Sequence, residues 1–408
     1  MTMQWRMLMG QRAQQMSSSI IREILKFAQQ PDLISLAGGW PAAGLFPVED
    51  LADACREVLS GASEAALQYG VTEGYAPLRR TLAEMARAKG LPVDEGNILV
   101  TSGSQQALDL VGRLFIDPDD VVLVERPTYL GALQAWQAYG ARFVSVPVDD
   151  DGMDVAAAEA VIAKHHPKFV YVMPNFHNPA GVTLSLARRR QLLELVRRYG
   201  IALVEDDPYG DLRFEGEDVA PLYALDAASL AAGDPGSVIY MSTFSKTLAP
   251  GLRLGWIIAP AEVAQRLAKA KQGADLHTAS LCQVLANEYC QRGLLGPHIE
   301  EIRATYRERR DALLAALARH MPPGVRWTQP QGGLFLWLSL PEQVDSLKLL
   351  EDAIAAKVAF VPGTAFYADD GGRNAMRLTF ASTPPALIDE GIRRLALVLK
   401  KHMEAVNA

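Results

Sequence analysis

Val238-Ile239-Tyr240-Met241-Ser242-Thr243-Phe244-Ser245-Lys246-Thr247-Leu248-Ala249-Pro250-Gly251-Leu252-Arg253-Leu254-Gly255-Trp256-Ile257-Ile258-Ala259 reads as a strand, a polar turn carrying a lysine, and a second strand. Val238 to Ser242 and Gly255 to Ala259 are apolar runs bounded by turn residues, as buried strands are. Lys246 lies just past the first strand, flanked by hydroxyls, with Arg253 seven residues later. That set suits a Schiff-base lysine beside a phosphate site. Arginine offers fork-shaped, permanently charged donors, while desolvation and a nearby cation would partly deprotonate the amine. A surface lysine in a Gly/Pro turn would look the same, so the motif needs company.

Working outward, further strands are read at Ile98 to Thr101, Val121 to Glu125, Arg142 to Pro147, Phe169 to Met173 and Ile201 to Glu205. Amphipathic stretches separate them, among them Gln105 to Phe115, Tyr129 to Tyr139 and Ser185 to Tyr199. This alternation predicts an α/β domain with a mostly parallel sheet flanked by helices, and chemistry at the carboxyl ends of its strands. After about Gly293 the pattern changes. A long helix, Pro297 to Arg319, precedes a β-rich unit (Gly333 to Leu340, Ala359 to Pro362, Met376 to Phe380) and a closing helix, Pro385 to His402. The expected organisation is a large domain over 46–292, a smaller α+β domain over 293–408, and an arm with one helix in 1–45 contributing to the smaller one.

Composition removes several function classes. A formal net charge of -7 disfavours a nucleic-acid partner, which needs surplus Lys and Arg. No apolar run reaches a membrane span and the first residues lack a signal-peptide core, so the expected location is the cytoplasm. The three cysteines, Cys55, Cys282 and Cys290, and the seven histidines form no metal-ligand spacing, so no metal is expected. GxxxxGK[ST], GxSxG and HExxH are absent from the sequence.

Three other strand ends carry polar groups. Thr101-Ser102-Gly103-Ser104-Gln105-Gln106 opens a helix, where small residues let backbone N–H groups meet an anion at the positive end of the helix dipole. Pro174-Asn175-Phe176-His177-Asn178-Pro179-Ala180-Gly181 puts Asn178 in a turn, able to bond a phenolic oxygen. Glu205-Asp206-Asp207-Pro208-Tyr209 sets carboxylates where one could keep a pyridine nitrogen protonated. Each motif alone would also serve as a cap or a turn.

Together and in this order, the motifs resemble the pyridoxal-phosphate-dependent fold-type I aminotransferases of class I/II. SIIREILK, ISLAGGWPAAGLFP, LQYGVTEGYAPLR, TSGSQQALDLVGRLF, KQGADLHT and AFVPGTAFY are similar to the bacterial 2-aminoadipate and kynurenine aminotransferase branch. The resemblance implies roles. Ser104, Gln105, Thr243, Ser245 and Arg253 would hold the phosphate of pyridoxal 5'-phosphate. Tyr129 would stack on the ring. Asn178 and Tyr209 would bond its 3-oxygen, and Asp206 would pair with its nitrogen. Lys246 would carry the aldehyde and move the proton. Arg377, helped by Gly39 and Asn178, would bind the substrate carboxylate, and Tyr69 would reach the phosphate of the other subunit in a homodimer with shared sites.

The implied reaction is ping-pong transamination of an L-amino acid (2-aminoadipate, glutamate, leucine or aromatic type) with a 2-oxo acid such as 2-oxoglutarate. Arg22 would meet a distal carboxylate, or else lie on a solvated helix face. Trp40 and His177 depart from the branch; both are expected to line the pocket, with Trp40 narrowing it or favouring apolar and aromatic side chains. A β-lyase or decarboxylase on the same fold is the alternative enzyme. A regulator using the fold as a sensor is expected only with an N-terminal winged-helix module, for which the roughly thirty residues before the SLAGG segment are too few.

Overall fold

Apolar strands buried on both faces form the centre of the molecule, seen in a computed structural model that describes residues 5–10, 32–231 and 234–407. Ile98–Thr101, Phe169–Val172, Val238–Thr243 and Gly255–Ile258 are buried at every position, as strands between two helical layers must be. The sheet has eight strands, in the order Ile98–Thr101, Gly255–Ile258, Val238–Thr243, Ala202–Asp206, Phe169–Val172, Val121–Arg126, Arg142–Asp149, Gly152–Met153. Its five central strands, from Val238–Thr243 to Arg142–Asp149, pair in parallel.

Alternate side chains divide between the faces. Val122, Val124, Phe169 and Tyr171 join one core with Leu108, Val111 and Trp136, whereas Leu123, Val170 and Val172 join another with Ile162, Leu192 and Val196. Gly255–Ile258 runs antiparallel to both neighbours. Residues 244–254 are too short for a parallel crossover, which needs a dozen or more. They form a loop instead, and Lys246 stays at the carboxyl end of Val238–Thr243.

The second unit is an antiparallel sheet in the order Arg326–Trp327, Phe335–Ser339, Ala375–Thr379, Val361–Pro362, packed with the helices Leu295–His320 and Pro385–Asn407. Ile34–Ser35 pairs in parallel with Val358–Ala359, which carries the following segment, Gly39 included, toward the main sheet. The strand expected over Gly333 to Leu340 begins only at Phe335. Gly333 has φ 72° and a Cβ there would meet Phe176 at 2.5 Å, so this backbone turns rather than pairs. The helix expected over Ser19 to Gln29 lies outside the described residues.

Arg189, wholly buried on Leu186–Tyr199, braces the strand ends. It donates to the carbonyls of Pro174, Leu184, Val219 and Ala220 and to Asn175 Oδ1. Asn175 in turn donates to Asp207 Oδ1 at 2.9 Å. Arg189→Met would strand these buried acceptors, and each buried acceptor left without a donor costs about 1–3 kcal/mol. Denaturant unfolding should register that loss; an unchanged midpoint would mean that water reaches these carbonyls.

Candidate active site

Lys246 emerges from the turn after Val238–Thr243, and its Nζ donates to the Gly39 carbonyl at 2.9 Å. Burial first, then the neighbouring Arg377 and Arg253, lower its pKa to about 8. The turn is fixed by Thr243: its Oγ1 donates to the Leu254 carbonyl at 2.7 Å, accepts the Ser245 N–H at 3.0 Å and lies 2.9 Å from Ser245 Oγ.

Arg253 has φ 53° and Gly103 has φ 79°, and a Cβ on Gly103 would come within 2.6 Å of Arg253 Nη2. A side chain cannot fit there, so the guanidinium lies against the first turn of helix Ser104–Phe115. Ser104 Oγ is buried there with no protein partner. An arginine, a bare hydroxyl and a helix N-terminus make an anion site.

Across the cavity, Asp206 ends the strand Ala202–Asp206. Its Oδ2 accepts from Tyr171 Oη at 2.8 Å, while Oδ1 is buried and unpartnered. Burial pushes its pKa up to about 7, against the Tyr171 hydrogen bond, which lowers it. A cationic N–H donor at the bare Oδ1 would favour the carboxylate. Tyr209 is buried, and its pKa is raised by that burial.

Arg377 lies on Ala375–Thr379, sandwiched between Phe335 at 4.2 Å and Phe366 at 4.9 Å from its guanidinium carbon. Nη1 donates to Asn178 Oδ1 and Nη2 to the Ala37 carbonyl, both at 2.8 Å, and the buried Nε has no partner. Burial lowers its pKa to about 10, so it stays charged at neutral pH.

Gly39, Trp40, Ser104, Gln105, Tyr129, Asn178, Asp206, Tyr209, Thr243, Ser245, Lys246, Arg253 and Arg377 all line this one cavity of about 470 Å³. Trp40 stands at it 56% exposed. Sequence reasoning missed Gln134 and Phe335 on its walls and Tyr171 behind Asp206. Tyr171 sits one strand over from Asp206, which only the pairing reveals.

One expectation changes, one concerns a site no single chain can show, and one lies beyond reach. His177 does not line the cavity: it is wholly buried, with Nε2 3.2 Å from Glu125 Oε2 and Nδ1 accepting the Ala180 N–H. It points behind the turn whose front presents Asn178. Tyr69 is absent from the cavity wall of its own chain and is 80% exposed, its ring edge-on to His277. Arg22 lies outside the described residues. Among the described residues no cluster of His, Cys, Asp or Glu could hold a metal, and no helix is long and apolar enough to cross a membrane.

The family model for aminotransferase class I and II matches residues 31–395. Aromatic-amino-acid aminotransferase 1 of Thermococcus litoralis is 47% identical, over 99% of this chain and 96% of its own length. The 2-aminoadipate transaminase of Thermus thermophilus is 45% identical, over 97% of each. The crystal structure of Pyrococcus horikoshii kynurenine aminotransferase superposes with a TM-score of 0.93 at 45% identity, covering 97% of this chain and 98% of that one.

The depressed lysine is open to measurement. In ligand-free protein, Lys246 should react with an amine-selective reagent with a midpoint of about pH 8, since only the deprotonated amine is nucleophilic. Arg253→Gln removes a nearby cation and should move that midpoint upward. A wild-type midpoint near the ordinary lysine value, roughly 10.4, would mean the amine is solvated.

Proposed function

This chain belongs to the class I and II aminotransferases, pyridoxal-phosphate-dependent enzymes of fold type I, and on that premise we propose that it transaminates aromatic and 2-aminoadipate-type L-amino acids through Lys246. The observation that carries this reading is one cavity where Lys246 meets three buried, unpartnered polar atoms, Ser104 Oγ, Asp206 Oδ1 and Arg377 Nε. Orphaned groups of this kind call for a ligand, and their chemistry fits the cofactor. Ser104, Gln105, Thr243, Ser245 and Arg253 would hold its phosphate, Tyr129 its ring face, Asn178 and Tyr209 its 3-oxygen, and Asp206 its nitrogen.

Bound there, the cofactor supplies a ring that accepts the electron pair left on the substrate Cα. The protein supplies the rest. Asp206, ionised against a cationic partner, keeps the ring nitrogen protonated. Arg377 fixes the substrate carboxylate, with Gly39 leaving room at its side. Lys246, whose amine is held at a pKa of about 8 in the empty site, would accept the substrate's Cα proton and hold it for return. A 2-oxo acid such as 2-oxoglutarate then takes up the amino group in the return half-reaction. Borohydride reduction should fix the cofactor mass on the Lys246 peptide, and recovery on another lysine would sink the assignment.

Trp40 at the cavity supports an apolar or aromatic side-chain preference, in keeping with the aromatic, 2-aminoadipate and kynurenine activities named for the relatives. Arg22 would add the distal carboxylate contact. A charge-assisted hydrogen bond contributes about 1.5–3 kcal/mol, so Arg22→Ala should cut turnover of 2-aminoadipate roughly ten- to a hundredfold more than that of phenylalanine. Equal losses on both would assign Arg22 to structure.

We also take the working unit to be a homodimer, with a cofactor unit over 46–292 and a smaller unit built from 1–45 and 293–408; the pairing of Ile34–Ser35 with Val358–Ala359 supports that grouping. Leu67, Tyr69, Val71 and Leu276 are exposed apolar side chains, each at least 45% accessible, around the Tyr69 loop. Such patches mark interfaces. Mixing Lys246→Ala with a severely impaired Tyr69 variant should restore close to one working site per heterodimer. Verified heterodimers without recovered activity would return Tyr69 to its own chain.

A further inference from the structure

The segment Lys271-Gln272-Gly273-Ala274-Asp275-Leu276-His277-Thr278 has no part in the cavity, yet its side chains grip two loops that do different work. Asp275 ends the helix Ala261–Asp275. Its Oδ2 accepts from Ser102 Oγ at 3.0 Å and Gln106 Nε2 at 2.7 Å, and its Oδ1 is held by the fully buried Lys271 Nζ at 2.6 Å. Asp275 therefore steadies the turn leading into Ser104 of its own chain.

Leu276, at φ 64°, redirects the backbone, and two residues after Asp275 the contacts are with a different loop. His277 Nε2 accepts the Gly70 N–H at 3.3 Å, and its ring meets that of Tyr69 edge-on, with centroids 5.7 Å apart. His277 Nδ1 lies 2.9 Å from the Thr278 carbonyl, which can only accept. The hydrogen-bond pattern thus assigns the proton to Nδ1 and leaves the Nε2 lone pair for Gly70. Ser280 Oγ donates to the Gln68 carbonyl at 3.0 Å, so the loop is held on both sides of Tyr69. A tyrosine 80% exposed has little else in its own chain to order it.

We infer that His277 is a positioning residue for Tyr69, presetting the phenol for the cofactor phosphate in the partner subunit's site, while Asp275 serves the site of its own chain. The inference rests on the reading that Tyr69 acts across the dimer. It predicts that two residues one position apart from touching in sequence act on opposite active sites.

The test uses verified heterodimers loaded with pyridoxal phosphate. After timed dialysis, borohydride fixes the remaining cofactor, and mass spectrometry counts it on the Lys246 peptide. Pairing His277→Ala with Lys246→Ala leaves one lysine-bearing site, served by the Tyr69 loop of a chain with intact His277; it should lose cofactor at the wild-type rate. Pairing the His277→Ala, Lys246→Ala double variant with wild type leaves one lysine-bearing site served by a chain without His277. That site should lose cofactor roughly five- to fiftyfold faster, the worth of one hydrogen bond and one aromatic edge contact. His277→Gln, which keeps an acceptor for Gly70, should recover part of the loss. Asp275→Ala should show the reverse pattern, weakening only the site of its own chain. Tyr69→Phe runs in both pairings as the reference. If Tyr69→Phe acts across the dimer while His277→Ala acts within its own chain or not at all, the positioning role is overturned alone. If Tyr69→Phe has no effect across the dimer, both readings fall.

Discussion

Three cations face one carboxyl group across the cavity: Lys246, Arg253 and Arg377 against Asp206. Holding Lys246 and Arg377 out of water is unfavourable for the charged forms, and the protein answers with little charge of its own. Lys246 has a peptide carbonyl, and Arg377 has a carbonyl, an amide oxygen and two aromatic faces. A cavity in this state attracts anions, and Arg253 and Arg377 both bear electrostatically on the lysine. The fold can be viewed as the means of keeping these groups close against their repulsion.

It does so by letting strand ends converge. Lys246, Asp206 and the turn bearing Asn178 all follow neighbouring strands of the sheet, so their spacing is set by strand separation rather than by loop conformation. Arg377 comes from the other sheet, and Gly39 from the segment after Ile34–Ser35. Asn178 Oδ1 receiving Arg377 Nη1 joins the two sheets by a hydrogen bond at the cavity, beside the edge-on rings of Tyr209 and Phe335. A shift of one relative to the other would therefore be felt first at Arg377.

Much of this was legible in the sequence because strands leave period and boundary signals, and because the polar residues at their ends stand out against apolar runs. The strands and the helices between them lie within a few residues of their expected limits, and the cavity gathers residues expected at it from seven separate stretches, His177 excepted. What escaped were partners set by tertiary approach. Tyr171 reads as an ordinary strand aromatic until pairing sets it beside Asp206. His177 reads as a pocket residue because it adjoins Asn178, but its side chain pairs with Glu125 behind the turn. Asp275 and His277 lie in the stretch KQGADLHT, which the resemblance picks out, but nothing local names their partners, since Ser102 and Gly70 lie far away in the chain.

The unpartnered Ser104 Oγ, Asp206 Oδ1 and Arg377 Nε bear on the life of the protein as well as on its chemistry. Polar atoms buried without partners weigh against the folded state until a ligand satisfies them. A molecule that binds only the folded chain stabilises it by mass action, about 1.4 kcal/mol for each tenfold rise in its free concentration above the dissociation constant. The chain with its cavity filled should therefore withstand heat and proteolysis longer than the same chain with those three atoms bare.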